Sequence, residues 1–346
     1  MRIILFCGIF FVVTSLKAQG FQAEKMDSLF SIMEKHDKAM GSLSIYHKGE
    51  SLYQKSIGYA DVDEKIKSTV ETKWRLGSIA KRFTATLVMQ LIEEGKLSLE
   101  TKLSDFYPEL PNSDQITIQQ LLRHETGIFD IKDSPNFYEW MLKERNKKDL
   151  LSKINENGFI FSPGEKRDYS NTNYILLTFI VEDIENEDFA SILEKRILIP
   201  LHLNNTHYGE KTYPENFGSI SYEKVDGVWN KVSGIHLSIV LGAAGIISTP
   251  EDINKFVIAL FGGKLVTENS LVEIIKTVPF IEGVKIFGQT GGMDAFKSVL
   301  LYLPEQEMSL VLILNGLDYP LRNLMLGILK IALNMGYDLP QLGSEK

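Results

Sequence analysis

Trp74-Arg75-Leu76-Gly77-Ser78-Ile79-Ala80-Lys81 is the stretch from which the fold and the chemistry of this chain are predicted first. Apolar residues continue after it at helical spacing until Gly95, a typical stop signal, so we expect a helix that begins near Ser78. A lysine three residues after a serine lies on the same helical face. It can take the serine proton only if desolvation or nearby cations lower its pKa well below ~10.4. Ser78 and Lys81 are therefore candidates for nucleophile and base in covalent acyl transfer.

A serine and a lysine at this spacing also occur together by chance, and the chain contains a second copy of the pattern. Ser221-Tyr222-Glu223-Lys224 precedes the turn residues Asp226-Gly227 and has the pattern of a strand, where the two side chains would not share a helical face. The alternative for the first copy is that Ser78 caps a core helix and Lys81 is solvated. The motif alone leaves both interpretations open.

The first twenty residues predict export. Arg2 precedes an apolar run over 3–13, and Ala18-Gln19-Gly20 offers small residues for cleavage, so we interpret residues 1–20 as a secretory signal peptide, too short for a membrane span. The single cysteine, Cys7, lies inside this segment, so the mature protein is expected to have no thiol or disulfide. A periplasmic or secreted bacterial protein is the expectation.

Composition indicates a globular protein of 346 residues, 44% of them hydrophobic, with a sizeable core in two lobes. The formal net charge is −8, and it becomes −10 when Arg2 and Lys17 leave with the signal. Because basic residues form no cluster, neither nucleic acid nor an anionic membrane is expected as a partner. No stable membrane insertion is expected after removal of the signal. The spacing of the six histidines fits no metal site, so we expect no metal and no cofactor. The expected partner is a small-molecule, peptide or ester substrate, and the oligomeric state stays open.

Periodicity predicts an α+β protein. A helix over 23–40, ended by Gly41, is followed by a hairpin of strands 42–47 and 51–58, and the chain closes with a hairpin of 296–303 and 308–315 and a helix over 320–335. We therefore expect an antiparallel sheet built from both chain ends, flanked by helices, with a mainly helical inserted lobe. In this reading residues 21–346 form one domain, with one lobe at about 21–75 and 230–346 and the helical lobe at about 76–229.

Two further motifs carry side chains suited to acyl transfer. Tyr169-Ser170-Asn171 supplies a phenol that can shuttle a proton if cations hold it near ionisation, and an amide that can brace a lysine or bind a carbonyl. Gly288-Gln289-Thr290-Gly291-Gly292 places small residues at a strand edge, where free main-chain N–H groups can form half of an oxyanion hole. The alternatives are a buried tyrosine with an asparagine helix cap, and an ordinary turn.

The order S-x-x-K, Y-x-N and x-T-G resembles the serine β-lactamases and penicillin-binding proteins, and most of all the class C β-lactamase-like family. That family also includes D-alanyl-D-alanine carboxypeptidases, D-aminopeptidases and esterases. Segments such as Leu121-Leu122-Arg123-His124-Glu125-Thr126-Gly127 and Gly242-Ala243-Ala244-Gly245 are similar to family turns, and the resemblance extends over about residues 40–335. It implies a β-lactamase-like fold.

The resemblance also implies a role for each candidate residue. Ser78 would attack and form an acyl-enzyme, Lys81 and Tyr169 would share the proton transfers, and Asn171 would support them. The main-chain amides of Ser78 and Gly292 would form the oxyanion hole. The turn at His124 is structural in the family. The other predicted substrate-binding residues are Gln289, Thr290 and Gly291.

Gln289 departs from the family pattern, in which many members have lysine or histidine. Because glutamine brings no charge, we expect weaker binding of substrates with a free carboxylate beside the scissile bond. The favoured function is an exported serine hydrolase of esterase or D-amino-acid peptidase type. A β-lactamase or D-Ala-D-Ala carboxypeptidase is the first alternative, and a non-catalytic binding or sensor protein is the second.

Overall fold

The computed structural model describes residues 21–209, 220–275, 280–281 and 283–343, so the predicted signal peptide and Cys7 lie outside it. Short 3₁₀ helices lie at Gly77–Ile79, Leu103–Asp105, Ile131–Asp133 and Pro304–Gln306, and a π-helical turn at Glu194–Leu198. The α-helices are α1 (Ala23–Lys35), α2 (Ala80–Glu93), α3 (Ile118–Arg123), α4 (Phe137–Trp140), α5 (Lys147–Asn157), α6 (Asn171–Glu185), α7 (Phe189–Leu193), α8 (Leu237–Ala244), α9 (Pro250–Phe261), α10 (Glu268–Ile274) and α11 (Leu321–Ala332). The strands are β1 (Ala39–His47), β2 (Glu50–Ile57), β3 (Tyr59–Asp61), β4 (Ile66–Lys67), β5 (Trp74–Arg75), β6 (His207–Tyr208), β7 (Tyr222–Val225), β8 (Val228–Lys231), β9 (Ile246–Ser248), β10 (Phe280–Ile281), β11 (Val284–Lys285), β12 (Phe287–Met293), β13 (Phe296–Leu303) and β14 (Met308–Leu317).

The central sheet has the strand order β12-β13-β14-β1-β2, and every neighbouring pair in it is antiparallel. Its two halves come from opposite ends of the chain and meet where β1 pairs with β14, with Leu43 opposite Leu312. The predicted hairpins are β1–β2 and β13–β14. The prediction of an α+β fold with an antiparallel sheet built from both chain ends is confirmed.

Helices cover both faces of this sheet. Leu310, Leu312 and Leu314 of β14 pack in one apolar cluster with α1 and α11, whereas Val311 and Ile313 belong to the larger cluster that includes α2, α6 and α9. Successive side chains of a strand point to opposite faces, so a strand covered on both sides is apolar throughout. The helices α2 to α7 lie within residues 76–229, the range predicted to be mainly helical.

The helix α2 lies in the middle of the larger cluster and is buried on nearly every side. Its Phe83 ring stacks on Phe256 of α9 with the ring centroids 3.8 Å apart. Polar side chains of this helix, Lys81, Thr84 and Thr86, are buried together with the apolar ones. The first turn of α2 therefore presents Lys81 to the protein interior.

Two predicted boundaries change in the structure: the end of the first helix and the point at which the chain returns to the sheet. The first helix ends at Lys35, and Gly41 lies inside β1, where a Cβ atom would come within 2.2 Å of the Ile313 carbonyl oxygen; this glycine permits close strand approach and does not end a helix. Strands β7 and β8 pair with each other, and β7 joins the central sheet where Tyr222 pairs with Gly316 of β14. The chain therefore returns to the sheet before residue 230, the predicted boundary. The second Ser-x-x-Lys copy was predicted to lie in a strand, and its residues from Tyr222 onward do lie on β7.

Candidate active site

Ser78 lies in the 3₁₀ turn that leads into α2 and is partly exposed. Its Oγ is 2.6 Å from the Tyr169 hydroxyl oxygen and accepts a hydrogen bond from Lys81 Nζ at 3.2 Å. The residue at the cap position of α2 is Ile79, and no side chain caps the helix there, so the alternative of Ser78 as a helix cap is wrong. The structure thus brings the serine, lysine and tyrosine of two distant motifs into one hydrogen-bonded group.

Lys81 is 1% exposed, which shows that the alternative of a solvated lysine is wrong. Its Nζ donates to Asn171 Oδ1 at 2.8 Å and to the Ala243 carbonyl oxygen at 2.8 Å, in addition to Ser78 Oγ. Burial lowers the pKa of Lys81 to about 7, the carboxylate of Asp130 acts against this, and the nearby Arg82 charge adds to it. The amine is thus neutral in a substantial fraction of molecules at neutral pH.

The contacts of Lys81 also determine where its lone pair points when the amine is neutral. A neutral amine has two N–H groups and one lone pair. The Asn171 Oδ1 and the Ala243 carbonyl oxygen can only accept, so they take the two N–H groups. The lone pair then faces Ser78 Oγ, which is the third neighbour and the one that carries a proton to give. This arrangement suits Lys81 to act as a general base toward Ser78.

The Ala243 carbonyl is available to Lys81 because α8 is kinked. Leu241 has a φ of 40° and a ψ of −137°, which breaks the helical pattern just before Gly242. A Cβ atom at Gly242 would come within 2.4 Å of Thr84 Oγ1 and 2.5 Å of Thr178 Oγ1, so the kink is held tightly between α2 and α6. The segment Gly242-Ala243-Ala244-Gly245, noted in the sequence as a family turn, contributes a main-chain acceptor to the site.

Asp130 is a site residue that no sequence motif indicated. It is 5% exposed, and its Oδ2 accepts hydrogen bonds from Asn171 N at 3.1 Å and Asn171 Nδ2 at 2.9 Å. Because a carboxylate can only accept, the amide nitrogen of Asn171 faces Asp130 and its oxygen faces Lys81. Asp130 therefore orients Asn171 and brings negative charge close to the buried amine. The only hint in the sequence is an aspartate between apolar neighbours, Phe129 and Ile131.

Replacing Asp130 with asparagine is expected to move the pH profile of acylation. Acylation requires the neutral amine, so the wild-type rate should rise with pH through the Lys81 pKa of about 7. Because the Asp130 charge raises that pKa, its removal should shift the inflection to lower pH. Asp133→Asn, which changes an exposed carboxylate of the same turn, is the control and should leave the inflection in place. An unchanged or raised inflection in Asp130→Asn would contradict this electrostatic role.

Tyr169 lies in the loop before α6 with its ring packed against His124, and the ring centroids are 4.5 Å apart. Burial raises the pKa of Tyr169 to about 12, against the lowering effects of its hydrogen bond with Ser78 and the Arg82 charge. The hydroxyl is therefore a neutral phenol at physiological pH, and not a group near ionisation. His124 ends α3 with a φ of 60°, and burial lowers its pKa to about 3, so it supports the ring as an uncharged group.

The glycine-rich motif is the edge strand β12, so the alternative of an ordinary turn is wrong. A Cβ atom at Gly291 would come within 2.2 Å of the Leu76 carbonyl oxygen and 3.0 Å of Ser78 N. A Cβ atom at Gly77, which has a φ of +55°, would lie 2.7 Å from Gly292 N. The main chain of β12 thus lies directly against the serine turn, as an oxyanion hole formed by the Ser78 and Gly292 amides requires. Thr290 is exposed on the same strand.

Gly291→Ala is expected to lower the acylation rate by about 10²–10³-fold, the usual effect of losing one oxyanion-hole donor. The added methyl cannot fit against Leu76 and Ser298, so β12 must move away from the serine turn. Gly288→Ala is the matched control on the same strand, because its Cβ would only make an ordinary 3.4 Å contact with Leu301. Rates of covalent labelling of Ser78 in both variants measure the effect, and equal rates would contradict it.

Gln289 is held by Arg82, a second residue that the sequence motifs did not indicate. The Oε1 atom of Gln289 accepts from Arg82 Nε at 3.1 Å and Arg82 Nη2 at 2.6 Å, and its Nε2 donates to the Thr290 carbonyl oxygen at 2.8 Å. Arg82 Nη1 donates to the Ile274 carbonyl oxygen. Arg82 could have been noticed because it follows Ser78 by four residues, one helical turn.

Over 21–209, 220–275, 280–281 and 283–343, no three or more His, Cys, Asp or Glu side chains lie close enough together to hold a metal ion. None of the helices described is both long and apolar enough to cross a bilayer.

Comparison with known proteins shows the family of this chain. Residues 29–329 match the model of the Beta-lactamase family. The chain belongs to the Beta-lactamase family. Because this match extends over most of the chain, the predicted kinship with serine β-lactamases and penicillin-binding proteins is confirmed.

Individual proteins are similar to half of this chain or more. PbpX of Bacillus subtilis (strain 168) is 31% identical over 233 residues, which cover 66% of this chain and 57% of PbpX. Protein flp of Staphylococcus aureus (strain NCTC 8325 / PS 47) is 30% identical over 188 residues, 53% of this chain and 37% of flp. The chain therefore spans between about a third and three fifths of these curated relatives. The crystal structure of D-amino acid amidase from Ochrobactrum anthropi SV3 is 26% identical, with a TM-score of 0.71 over 83% of this chain and 92% of the amidase.

Proposed function

We propose that this protein hydrolyses an amide or ester bond through an acyl-enzyme on Ser78. The observation that carries the proposal is that Ser78 Oγ is within hydrogen-bonding distance of both Lys81 Nζ, at 3.2 Å, and the Tyr169 hydroxyl, at 2.6 Å. A partly exposed nucleophile, a buried amine with a lowered pKa and a neutral phenol are the three groups that acyl transfer at neutral pH needs.

Acylation follows from this geometry. Neutral Lys81 removes the Ser78 proton as Oγ bonds to the substrate carbonyl carbon, and the carbonyl oxygen becomes an oxyanion. The main-chain N–H groups of Ser78 and Gly292 stabilise that oxyanion. When the carbon–leaving-group bond breaks, the leaving nitrogen or oxygen takes a proton from the Tyr169 hydroxyl, which regains one from the Lys81 ammonium. The result is a serine ester and a released amine or alcohol.

Hydrolysis of the serine ester restores the enzyme. Water attacks the ester carbon while the Lys81–Tyr169 pair takes its proton, and the bond to Ser78 Oγ breaks as that oxygen is reprotonated. Asn171 keeps Lys81 in place through both halves of the reaction, because its Oδ1 accepts from Nζ at 2.8 Å.

For the substrate we propose amides or esters of D-configured amino acids or short peptides. The similarity to the D-amino acid amidase of Ochrobactrum anthropi SV3, at 26% identity and over 92% of that enzyme, supports this class. Simple esters are included in the proposal, because attack of Ser78 on an ester or on an amide gives the same kind of acyl-enzyme, a serine ester. A β-lactamase or D-Ala-D-Ala carboxypeptidase would use the same acylation step, and the experiment below separates these outcomes.

We also propose that the protein acts outside the cytoplasm. The support comes from the sequence of residues 1–20, in which Arg2, the apolar run over 3–13 and Ala18-Gln19-Gly20 have the order of a signal peptide. The amino-terminal residue of the protein recovered from culture medium or periplasm tests this proposal. A mature chain that still begins at Met1 would contradict it.

The experiment that tests the function is the intact mass of the protein after reaction with a fluorophosphonate. Wild type should gain one adduct and Ser78→Ala none, and a folded wild type that gains none would support the non-catalytic binding alternative. Ser221→Ala, in the second Ser-x-x-Lys copy, is the control and should be labelled like wild type.

The same mass measurement, followed over time with candidate substrates, resolves the substrate class. Hydrolysis of D-phenylalanine amide faster than its L-enantiomer would support the D-amino-acid class, and hydrolysis of neither would exclude it. With benzylpenicillin, a persistent adduct would indicate a penicillin-binding D-Ala peptidase. An adduct that forms and disappears with release of product would indicate a β-lactamase.

A further inference from the structure

The cation nearest to Gln289 is Arg82, and it lies on the same side of α2 as Ser78. Two residues four apart are neighbours on a helix, so the Arg82 side chain leaves α2 one turn beyond the nucleophile. Its guanidinium reaches across to β12, the strand that also supplies Gly292 to the serine turn. Arg82 and Gln289 are both partly exposed, as is Ser78.

The Arg82 charge is held in place without being neutralised. Nε and Nη2 donate to the Gln289 amide oxygen and Nη1 donates to the Ile274 carbonyl, so both acceptors are uncharged. Among the residues that the structure describes, no carboxylate lies within ion-pair distance of this guanidinium. Of five N–H groups, about two remain for another acceptor. A neutral amide therefore anchors the cation without cancelling its charge.

The positive charge of Arg82 acts electrostatically on the side chains near Ser78. The Arg82 charge lowers the pKa of Lys81, of Tyr169 and of His124. Lys81 and Tyr169 contact Ser78, and His124 packs against Tyr169, so an anionic group of a substrate bound at Ser78 would lie in the same positive field. Arg167, exposed in the loop before Tyr169, is the other arginine whose charge acts on this cluster, through His124 and Arg82 itself.

We infer that Arg82 determines specificity by binding an anionic group, a carboxylate in the simplest case, on the β12 side of the substrate's scissile bond. The inference rests on the proposed function, since it names the substrate class of the same site. Gln289 has the role of an uncharged anchor for the guanidinium. The inference predicts the opposite of the expectation, drawn from the missing charge at residue 289, that carboxylate substrates bind poorly, and the experiment below distinguishes the two.

The choice of residue at 289 follows from the same electrostatics. A lysine there would place a second cation against the guanidinium and repel it, and a glutamate would pair with the guanidinium and cancel its charge. Glutamine accepts two hydrogen bonds without either effect. Gln289→Glu is therefore an isosteric change that removes the net charge of the pair while Arg82 stays packed.

The test compares two esters of one acid that differ only in the leaving group, phenol against 3-hydroxybenzoate. The quantity measured is the ratio of kcat/KM for the anionic ester to that for the neutral ester. Wild type should favour the anionic ester. Arg82→Gln and Gln289→Glu should each lower the ratio by about 10–100-fold, which is the effect expected from losing one hydrogen bond to a charged group. The double variant Arg82→Gln with Gln289→Lys returns a cation to the same pair of residues and should recover most of the ratio.

Arg167→Gln is the control for general charge effects, because it removes an exposed cation near the same cluster. An equal fall of the ratio in Arg167→Gln and Arg82→Gln, or an unchanged ratio in Gln289→Glu, would overturn the inference. Failure of the proposed function has a different signature: wild type would hydrolyse neither ester and Ser78 would not react with a fluorophosphonate. Hydrolysis of the neutral ester without preference for the anionic one would refute the role of Arg82 alone.

Discussion

Lys81→Met should lower the acylation rate of Ser78 by about 10⁴-fold, the upper range for loss of a general base. The amine is the basic group in contact with Ser78 Oγ, and its two other acceptors direct its lone pair toward that oxygen. Methionine has a similar length and no basic nitrogen. Single-turnover rates with an activated ester report acylation directly, without the contribution of later steps.

Folding must be measured in the same variant, because Lys81 is 1% exposed. Methionine leaves the Asn171 Oδ1 and the Ala243 carbonyl without their donor, at a cost of about 1–3 kcal/mol each, and removes a buried amine whose desolvation opposes folding. The melting temperature should therefore change little. Lys96→Met, an exposed lysine just beyond α2, is the control and should keep wild-type acylation. A folded Lys81→Met protein with wild-type acylation would exclude Lys81 as the base.

Tyr169→Phe should lower kcat/KM by about 10²–10⁴-fold, with a larger loss for amides than for esters of good leaving groups. The hydroxyl is 2.6 Å from Ser78 Oγ, and its raised pKa, about 12, keeps it protonated and able to donate. An amine leaving group needs that proton, whereas an activated phenolate departs without it. The phenylalanine ring can keep its contact with His124, so the fold should be retained.

The comparison of matched amide and ester substrates separates two roles of this hydroxyl. An equal loss for both would indicate that Tyr169 acts on Ser78 during attack, and a loss confined to amides would indicate proton donation to the leaving group. Tyr138→Phe, at an exposed tyrosine outside the candidate active site, is the control for the removal of a phenol. A loss below about fivefold with both substrates would contradict any general acid–base role.

Much of the fold was predictable because its signals are local. Apolar residues alternate or run continuously in the segments that became β1 and β14, and a tight turn separates each hairpin pair. The spacing of Ser78 and Lys81 is likewise local, since three residues on a helix bring two side chains to one face. Gly41 was misread because a glycine that permits close strand approach has the same sequence as one that ends a helix.

The sequence by itself determined the sheet built from both chain ends, the strand that carries the second Ser-x-x-Lys copy, and the residues of the three motifs. Only the tertiary structure decided the electrostatics of the site. Lys81 has its lowered pKa because the packing around the first turn of α2 buries it, and Asp130 orients Asn171 across 41 residues of chain. Arg82 meets Gln289 across 207 residues. Burial and charge pairing depend on which distant segments pack together, and no local pattern encodes that.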